Sequence, residues 1–267
     1  FKGFTEKRTV YRLLGRREAV AETFYQGELV GREAELAQLH EWLQPIRRGR
    51  FGGAIYITGE AGMGKSRLVH EFQQQIDLHS PGLTWFLGQT DEIVRQPLNP
   101  FRYLLRAYFH LSATDSAEIN RQRLTQQMDE LIAATDDAAL AAELDRARSF
   151  LGALADLHWA GSLYEQLEPQ LRFENVLEAL KALIKAESRR APLVLHIEDA
   201  HLLDAESRAF LTRLTRNVEG FPFLLVVTAR PEGDFAATAD DARIALLDAD
   251  LPQHTLRLEG LNRAALA

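Results

Sequence analysis

The sequence contains no cysteine among its 267 residues. This absence excludes disulfide frameworks, thiolate nucleophiles and cysteine-ligated zinc sites, and it fits a cytoplasmic protein. An excess of basic residues is also lacking, because 31 lysines and arginines stand against 38 aspartates and glutamates, for a formal net charge of −7. A basic nucleic-acid footprint has the opposite balance. We therefore expect no direct nucleic-acid binding by this segment.

Long apolar runs are missing too. Runs such as residues 224–227 fall far short of the roughly 20 residues that span a bilayer, so we expect no membrane partner. With 46% hydrophobic and 26% charged residues, the composition is that of an ordinary soluble domain and excludes collagen-like or low-complexity classes. The length allows one large domain or two small ones.

Short apolar runs typical of buried strands recur along the chain, at residues 54–58, 83–87, 193–197, 223–228 and 255–258. Residues 9–14 form a weaker strand candidate. Stretches with helical apolar spacing separate the runs: one from Arg32 through Ile46, one from 65 to about 76, one from about 205 to 218, and most of 101–187. Strands alternating with helices predict a doubly wound α/β fold, with a parallel sheet covered on both faces and a large helical insertion at about 101–187.

A phosphate-binding pattern of glycine, four residues, then Gly-Lys-Ser is present as Gly59-Glu60-Ala61-Gly62-Met63-Gly64-Lys65-Ser66. The glycines let backbone N–H groups turn toward phosphates, and the helix that follows offers its positive end. Lys65 is expected to neutralise β- and γ-phosphate charge, and the Ser66 hydroxyl to ligate Mg²⁺. The pattern predicts a phosphate loop that binds a nucleotide with Mg²⁺.

A carboxylate is then expected at the carboxyl end of a strand neighbouring the phosphate-loop strand. Glu198 and Asp199 follow the apolar run 193–197 and meet this need. We assign Glu198 to the metal, through water, and Asp199 to orienting or deprotonating the attacking water. Successive residues of a strand point in opposite directions, which would let the two acids hold different roles. Because the Asp199 side chain is short, we expect slow hydrolysis.

Three further side chains are candidates for the site. Arg230 follows the run 223–228 and is expected to meet the γ-phosphate and report its loss, as an arginine supplied in cis would; a surface arginine in a turn is the alternative. His201 is expected to order the acid-bearing loop rather than bind metal. Arg32 could contact nucleotide or pair with Glu35, and the sequence leaves both open.

Four segments together resemble the signal-transduction ATPases with numerous domains, which are switch-like relatives of the AAA ATPases: residues 30–33, 59–69, 198–204 and 228–232. The resemblance covers about residues 29–267. It implies ATP and ADP as the nucleotides, Arg67 as a further nucleotide-binding residue, and regulation by exchange between two bound states. The acid pair is Glu-Asp where relatives often have Asp-Asp or Asp-Glu.

Within that family the sequence looks most like the module behind class III adenylate/guanylate cyclase domains of large bacterial regulators, because residues 2–6 and 10–13 resemble the last strand of such a cyclase. The resemblance implies a cyclase-like tail and linker at 1–28, an ATPase domain at 29–260, and the start of a truncated lid or following helical domain at 261–267. Covalently linked output and sensor domains are the expected partners. The alternatives are a nucleotide-binding scaffold without turnover, the module of a LuxR-type transcription regulator, and a ring-forming motor.

Overall fold

The computed structural model describes residues 27, 29–79, 82–91, 96–231, 247 and 250–261. The strands are β1 Gly53–Thr58, β2 Thr84–Gln89, β3 Leu193–Glu198, β4 Phe223–Ala229 and β5 Gln253–Arg257. The helices are α1 Glu33–Trp42, α2 Gln44–Arg47, α3 Lys65–His79, α4 Asn99–Tyr108, α5 Ala117–Ala133, α6 Ala138–Leu154, α7 Leu163–Gln166, α8 Pro169–Arg190 and α9 Ala205–Leu214. Among these helices, none combines the length and the apolar character that a membrane crossing requires.

The five strands form one sheet in the order β2-β3-β4-β1-β5, and every neighbouring pair is parallel. All five predicted strands are present, with ends shifted by one or two residues. The predicted α/β fold with a parallel sheet is therefore confirmed. The strand candidate at 9–14 and the cyclase-like tail lie outside the described residues.

Helices cover both faces of the sheet. Alternate strand residues such as Ile55 and Val226 pack against α1 and α3 on one face, around the buried Phe72. Their neighbours along the strands, such as Leu225, face α4, α8 and α9 on the other. Because α3 and α9 follow β1 and β3 onto opposite faces, a crevice opens above the carboxyl ends of the central strands, where α/β sheets commonly bind ligands.

Two helices are shorter than predicted. The expected helix through Ile46 is interrupted, because α1 ends at Trp42 and Pro45 lies in the first turn of α2. Proline lacks the N–H that would continue the hydrogen-bond ladder. The helix expected to reach residue 218 ends at Leu214, and Asn217 then adopts a left-handed conformation at φ 55°, which a helix does not accept.

Five helices, α4 to α8, lie between β2 and β3. The first of them, α4, packs on β2, and α8 packs on α6 before it leads into β3. Apolar side chains of α5, α6 and α8, including Leu124, Leu144 and Leu180, continue the core of that face of the sheet. The insertion thus extends the hydrophobic core instead of projecting from it.

His196 in β3 is a buried polar residue without full hydrogen bonding. Its Nε2 atom has no hydrogen-bond partner, and its ring lies edge-on to Trp85 at a centroid distance of 6.0 Å. Burial lowers the pKa of His196 to about 3, so the imidazole is neutral in the folded protein. An unsatisfied buried polar atom costs roughly 1–3 kcal/mol.

Replacement of His196 by leucine, which is similar in volume, should therefore stabilise the protein by roughly 1–3 kcal/mol at pH 7, or several degrees in Tm. The wild-type protein loses stability as the pH falls below 6.5, the ordinary pKa of histidine, because only the unfolded chain takes up that proton. The stability gap should accordingly widen by about 2 kcal/mol between pH 7 and pH 5. Thermal denaturation measures both effects, and His158→Leu, at an exposed position, is the control. A gap that stays constant with pH would contradict the assignment.

Candidate functional site

The phosphate loop connects β1 to α3 at the carboxyl edge of the sheet. Gly64 adopts a φ of +85°, a conformation open to glycine. A Cβ on Gly59 would come within 2.9 Å of the carbonyl oxygen of Leu258, the residue after β5. The chain leaving β5 therefore packs closely against the start of the loop. With α3 beginning at Lys65, the first N–H groups of that helix lack helical partners and are available to an anion.

Lys65 lies nearly buried inside this loop, with 8% of the residue exposed. Its Nζ donates to the Gly59 carbonyl at 2.7 Å and to the Glu60 carbonyl at 3.0 Å. Burial lowers the pKa of Lys65 from its ordinary value, the charge of Arg230 lowers it further, and the carboxylates of Asp199 and Glu60 oppose the shift. The charges of the predicted acid and arginine therefore both act on Lys65.

Glu198 is the last residue of β3, but β3 is not the strand next to β1. The expectation of a neighbouring strand was wrong, because β4 lies between the two. Two inter-strand spacings separate β1 from β3 by roughly 10 Å. The expected metal contact of Glu198 through water stays a prediction.

Asp199 does not continue the strand. It adopts a left-handed conformation, with φ 52° and ψ 47°, and precedes a short 3-10 turn at Ala200–Leu202. The prediction that the two acids diverge by strand alternation was therefore wrong, since the chain turns between them. The Asp199 side chain remains 45% exposed.

Two threonines that the sequence reasoning missed hold this turn. The Thr90 hydroxyl, just after β2, donates to the carbonyl oxygens of Glu198 at 2.9 Å and Asp199 at 3.0 Å. The Asp199 N–H donates to the hydroxyl oxygen of Thr228, at 3.1 Å, and Thr228 is fully buried in β4. Polar residues at the carboxyl ends of otherwise apolar strands were the signal in the sequence.

Arg230 and His201 meet where β4 ends. The Arg230 backbone N–H lies 3.4 Å from His201 Nδ1, which in turn is 4.0 Å from an Asp199 carboxylate oxygen. The Arg230 residue is exposed while the His201 side chain is nearly buried. These contacts place His201 between the turn at Asp199 and the carboxyl end of β4. This position is consistent with the expected role of His201 in ordering the loop that carries the acids.

Arg32 pairs with Glu35, and the structure adds contacts that the sequence did not indicate. One Arg32 guanidinium nitrogen lies 2.7 Å from Glu35 Oε1. The other donates to the Glu259 carbonyl at 2.6 Å and approaches the Met63 carbonyl of the phosphate loop at 3.5 Å. Arg32 therefore ties α1, the loop and the segment after β5 together.

Arg67, in the first turns of α3, interacts with two other parts of the chain. It forms an ion pair of 3.5 Å with Glu71 and donates to the carbonyl oxygen of Gly27. The segment before α1 thus crosses beside the helix that begins at the phosphate loop. A nucleotide-binding role for Arg67 stays a prediction.

The residues at this edge fit a nucleotide with magnesium. Mg²⁺ is usually held by one or two carboxylates together with substrate phosphates and water. In the parts of the chain that the structure describes, no three His, Asp or Glu side chains are grouped so that they could hold a metal ion. Ser66, at the start of α3, and Glu198 would supply the protein side of such a site.

An uncharacterized protein of Rhizobium meliloti (strain 1021) is 29% identical over 275 residues, which take in 96% of this chain and 25% of that protein. The chain therefore spans about a quarter of the length of this relative.

Among solved structures, the ORC1 protein of Aeropyrum pernix in complex with DNA is similar over 90% of this chain and 48% of its own, at a TM-score of 0.40 and 14% identity. VirB4 of Thermoanaerobacter pseudethanolicus is similar over 76% of this chain and 76% of its own, at a TM-score of 0.32 and 15% identity. The sequence profile of the AAA ATPase domain matches residues 28–227, from the segment before α1 to β4. This match covers most of the chain, which therefore belongs to the AAA ATPase domain family.

Proposed function

We propose that this AAA ATPase domain is the Mg-ATP-binding regulatory switch of a multidomain, cyclase-linked signalling protein, and that it hydrolyses ATP slowly. The observation that carries the proposal is the arrangement at the carboxyl edge of the sheet. Thr58, which leads into the phosphate loop, is paired with Ala229, which leads to Arg230, and His201 lies between Arg230 and Asp199. The length of the Rhizobium relative, of which this chain spans a quarter, supports a larger polypeptide around the module.

Binding follows from the phosphate loop. The N–H groups at the start of α3 and the Lys65 ammonium face the position of the β- and γ-phosphates. In the structure the ammonium group bonds to the Gly59 and Glu60 carbonyls. When ATP binds, the Lys65 ammonium group reaches a phosphate oxygen from this position. Ser66 and Glu198 would hold the Mg²⁺ ion, and Mg²⁺ held there would neutralise negative charge on the phosphates.

Turnover depends on Asp199 and Arg230. The Asp199 carboxylate, partly exposed and held by the Thr228 hydroxyl through its backbone, orients the attacking water and accepts its proton. Arg230 stabilises negative charge that develops on the transferred phosphoryl group. Loss of the γ-phosphate removes the group that both residues face, so the ATP- and ADP-bound states differ in these contacts.

Regulation requires that the rest of the polypeptide distinguish these two states. A ligand shifts such an equilibrium only through different affinities for the two conformations. The Arg32 contacts join the phosphate loop to the Glu259 carbonyl, just after β5. A conformational difference between the ATP- and ADP-bound phosphate loop can be transmitted through the Arg32 contacts to the linked output and sensor domains.

Arg230→Ala tests the proposal. We expect phosphate release to fall by at least about tenfold, because a cis arginine acts mainly on the transition state. ATP affinity, measured by calorimetry, should change by less than about threefold, since a contact made only in the transition state leaves binding unaffected. Arg257→Ala is a matched control, because Arg257 ends β5 at the same edge of the sheet.

Equal turnover in the Arg230 and Arg257 variants would remove Arg230 from the mechanism. A wild-type protein that binds ATP and releases no phosphate would favour the scaffold without turnover. The regulatory part of the proposal would fail if ATP and ADP gave identical proteolysis patterns in the full-length polypeptide.

A further inference from the structure

We propose that the edge of the sheet opposite the phosphate loop is a docking surface for a short acidic segment of polypeptide. We call this surface the arginine edge and define it as residues 44–52, 185–192 and 213–222, which lead into β1, β3 and β4. Its exposed arginines are Arg47, Arg48, Arg50, Arg189, Arg190 and Arg216.

The three turns form one continuous surface. The strands β3, β4 and β1 are adjacent and parallel, and they begin at one level, with Leu193 paired to Phe223 and Gly53 to Leu224. The Phe51 N–H donates to the Glu219 carbonyl at 3.1 Å and joins the first turn to the third. Lys185 and Arg189 lie 4.5 and 4.6 Å from the Phe221 ring centre and join the second turn to the third.

The charge of the arginine edge opposes that of the whole chain. Its three turns contain eight lysines and arginines and two acids, for six net positive charges, whereas the whole chain has a formal net charge of −7. One of the acids, Glu187, is already paired with Arg190 at 2.9 Å. Arg213 is likewise paired with Glu178 of α8, at 2.5 Å. The arginine edge is therefore a concentration of positive charge on a chain that is negative as a whole.

Helix stabilisation explains only part of this concentration. Arg47, Arg189 and Arg190 lie in the last turns of α2 and α8, where cations interact favourably with the helix dipole. Arg50 and Arg216 lie beyond the ends of their helices. Like charges crowded on a surface repel one another, so folding stability alone does not account for these positions.

The small width of the arginine edge favours a short acidic peptide over a nucleic acid. On either side, the last turn of α3, which precedes β2, carries the exposed acid Asp77, and the turn before β5 carries the exposed acid Asp250. The basic zone is therefore three strands wide, roughly 10 Å between the outer strands. A duplex would extend over the flanking acids, within a Debye length of about 8 Å at physiological salt.

The side chains of the arginine edge also suit carboxylates. Guanidinium groups bind carboxylates through two parallel hydrogen bonds. Single-stranded nucleic acids instead need aromatic rings free for base stacking. Of the two phenylalanines in these turns that precede the strands, Phe51 is buried and Phe221 already packs against two cations.

The test measures fluorescence anisotropy of a labelled glutamate-rich peptide with the 267-residue chain. The combined variant Arg48→Gln, Arg189→Gln and Arg216→Gln removes one arginine from each turn. We expect its affinity for the peptide to fall by roughly tenfold, from three surface charge pairs. The matched control neutralises Arg121, Arg123 and Arg146 in the helical insertion and should change affinity by less than about twofold.

If both triple variants lost the same peptide affinity, the peptide would be attracted by the positive charges of the chain in general, which would overturn the proposal. An absence of peptide binding would do the same. Tighter binding of a single-stranded DNA oligonucleotide of equal charge would assign the edge to nucleic acid instead. Because the edge lies opposite the phosphate loop, the ATP affinity of the triple variant should stay unchanged, which separates this proposal from the proposed ATPase function.

Discussion

Replacement of Lys65 by alanine is expected to weaken ATP binding by roughly tenfold to a hundredfold, because a charge-assisted contact to phosphate contributes about 1.5–3 kcal/mol. Lys65 is well placed for this contact, since it is nearly buried in the loop and its charge interacts with Asp199 and Arg230. The measurement is isothermal titration calorimetry with ATP and Mg²⁺.

Lys181 offers a closely matched control for this experiment. Its Nζ also donates to two backbone carbonyls, of Arg213 at 3.0 Å and Arg216 at 2.6 Å, and burial lowers its pKa as well. Lys181 lies on α8, which leads to the opposite edge of the sheet. Lys181→Ala should leave ATP affinity within about twofold of wild type, as expected for a lysine distant from the ligand. Similar affinities for all three proteins would refute the assignment of the phosphate loop.

The second large effect is expected from Asp199→Asn, which should lower the rate of phosphate release by at least about a hundredfold, because general-base catalysis contributes 10²–10⁴-fold. Asparagine tolerates the left-handed backbone that Asp199 adopts, so the turn should persist. ATP affinity should change little. Single-turnover phosphate release together with calorimetry separates the two quantities.

Asp156 is the control for this substitution. It is also an aspartate in a left-handed conformation, at φ 64°, but it lies after α6 and pairs with Arg102. Asp156→Asn should leave turnover unchanged. If Asp199→Asn released phosphate as fast as the Asp156 variant, water activation would have to come from another residue.

Prediction of the fold succeeded where the evidence was local in sequence. The apolar runs that became β1 and β4 are buried on both faces, so each run alone indicated a strand of a covered parallel sheet. The prediction overran at α1, although Pro45 was itself a local signal for a break. These features depend on residues a few positions apart.

Prediction of the site succeeded only in part. The phosphate loop is contiguous, so its motif was recognisable without the fold. The turn at Glu198 and Asp199 was not recognisable from the sequence. Its shape depends on Thr90 and Thr228, which lie about 108 and 29 residues away along the chain. Similarly, the Arg32 contact with the Glu259 carbonyl joins residues 227 positions apart. The roles of Asp199 and Arg230 are predictions that the variants above test, and the metal role of Glu198 stays a prediction.

By itself the sequence determined the alternation of strands and helices, the parallel sheet and the phosphate loop, because apolar spacing and glycine placement act over a single element. Only the tertiary structure decided that β4 separates β1 from β3, that Asp199 turns out of its strand, and that the arginines of three distant segments share one edge. Strand order and contacts between distant segments depend on how the whole chain packs, and hydrophobic burial is not directional enough to encode them in any one segment.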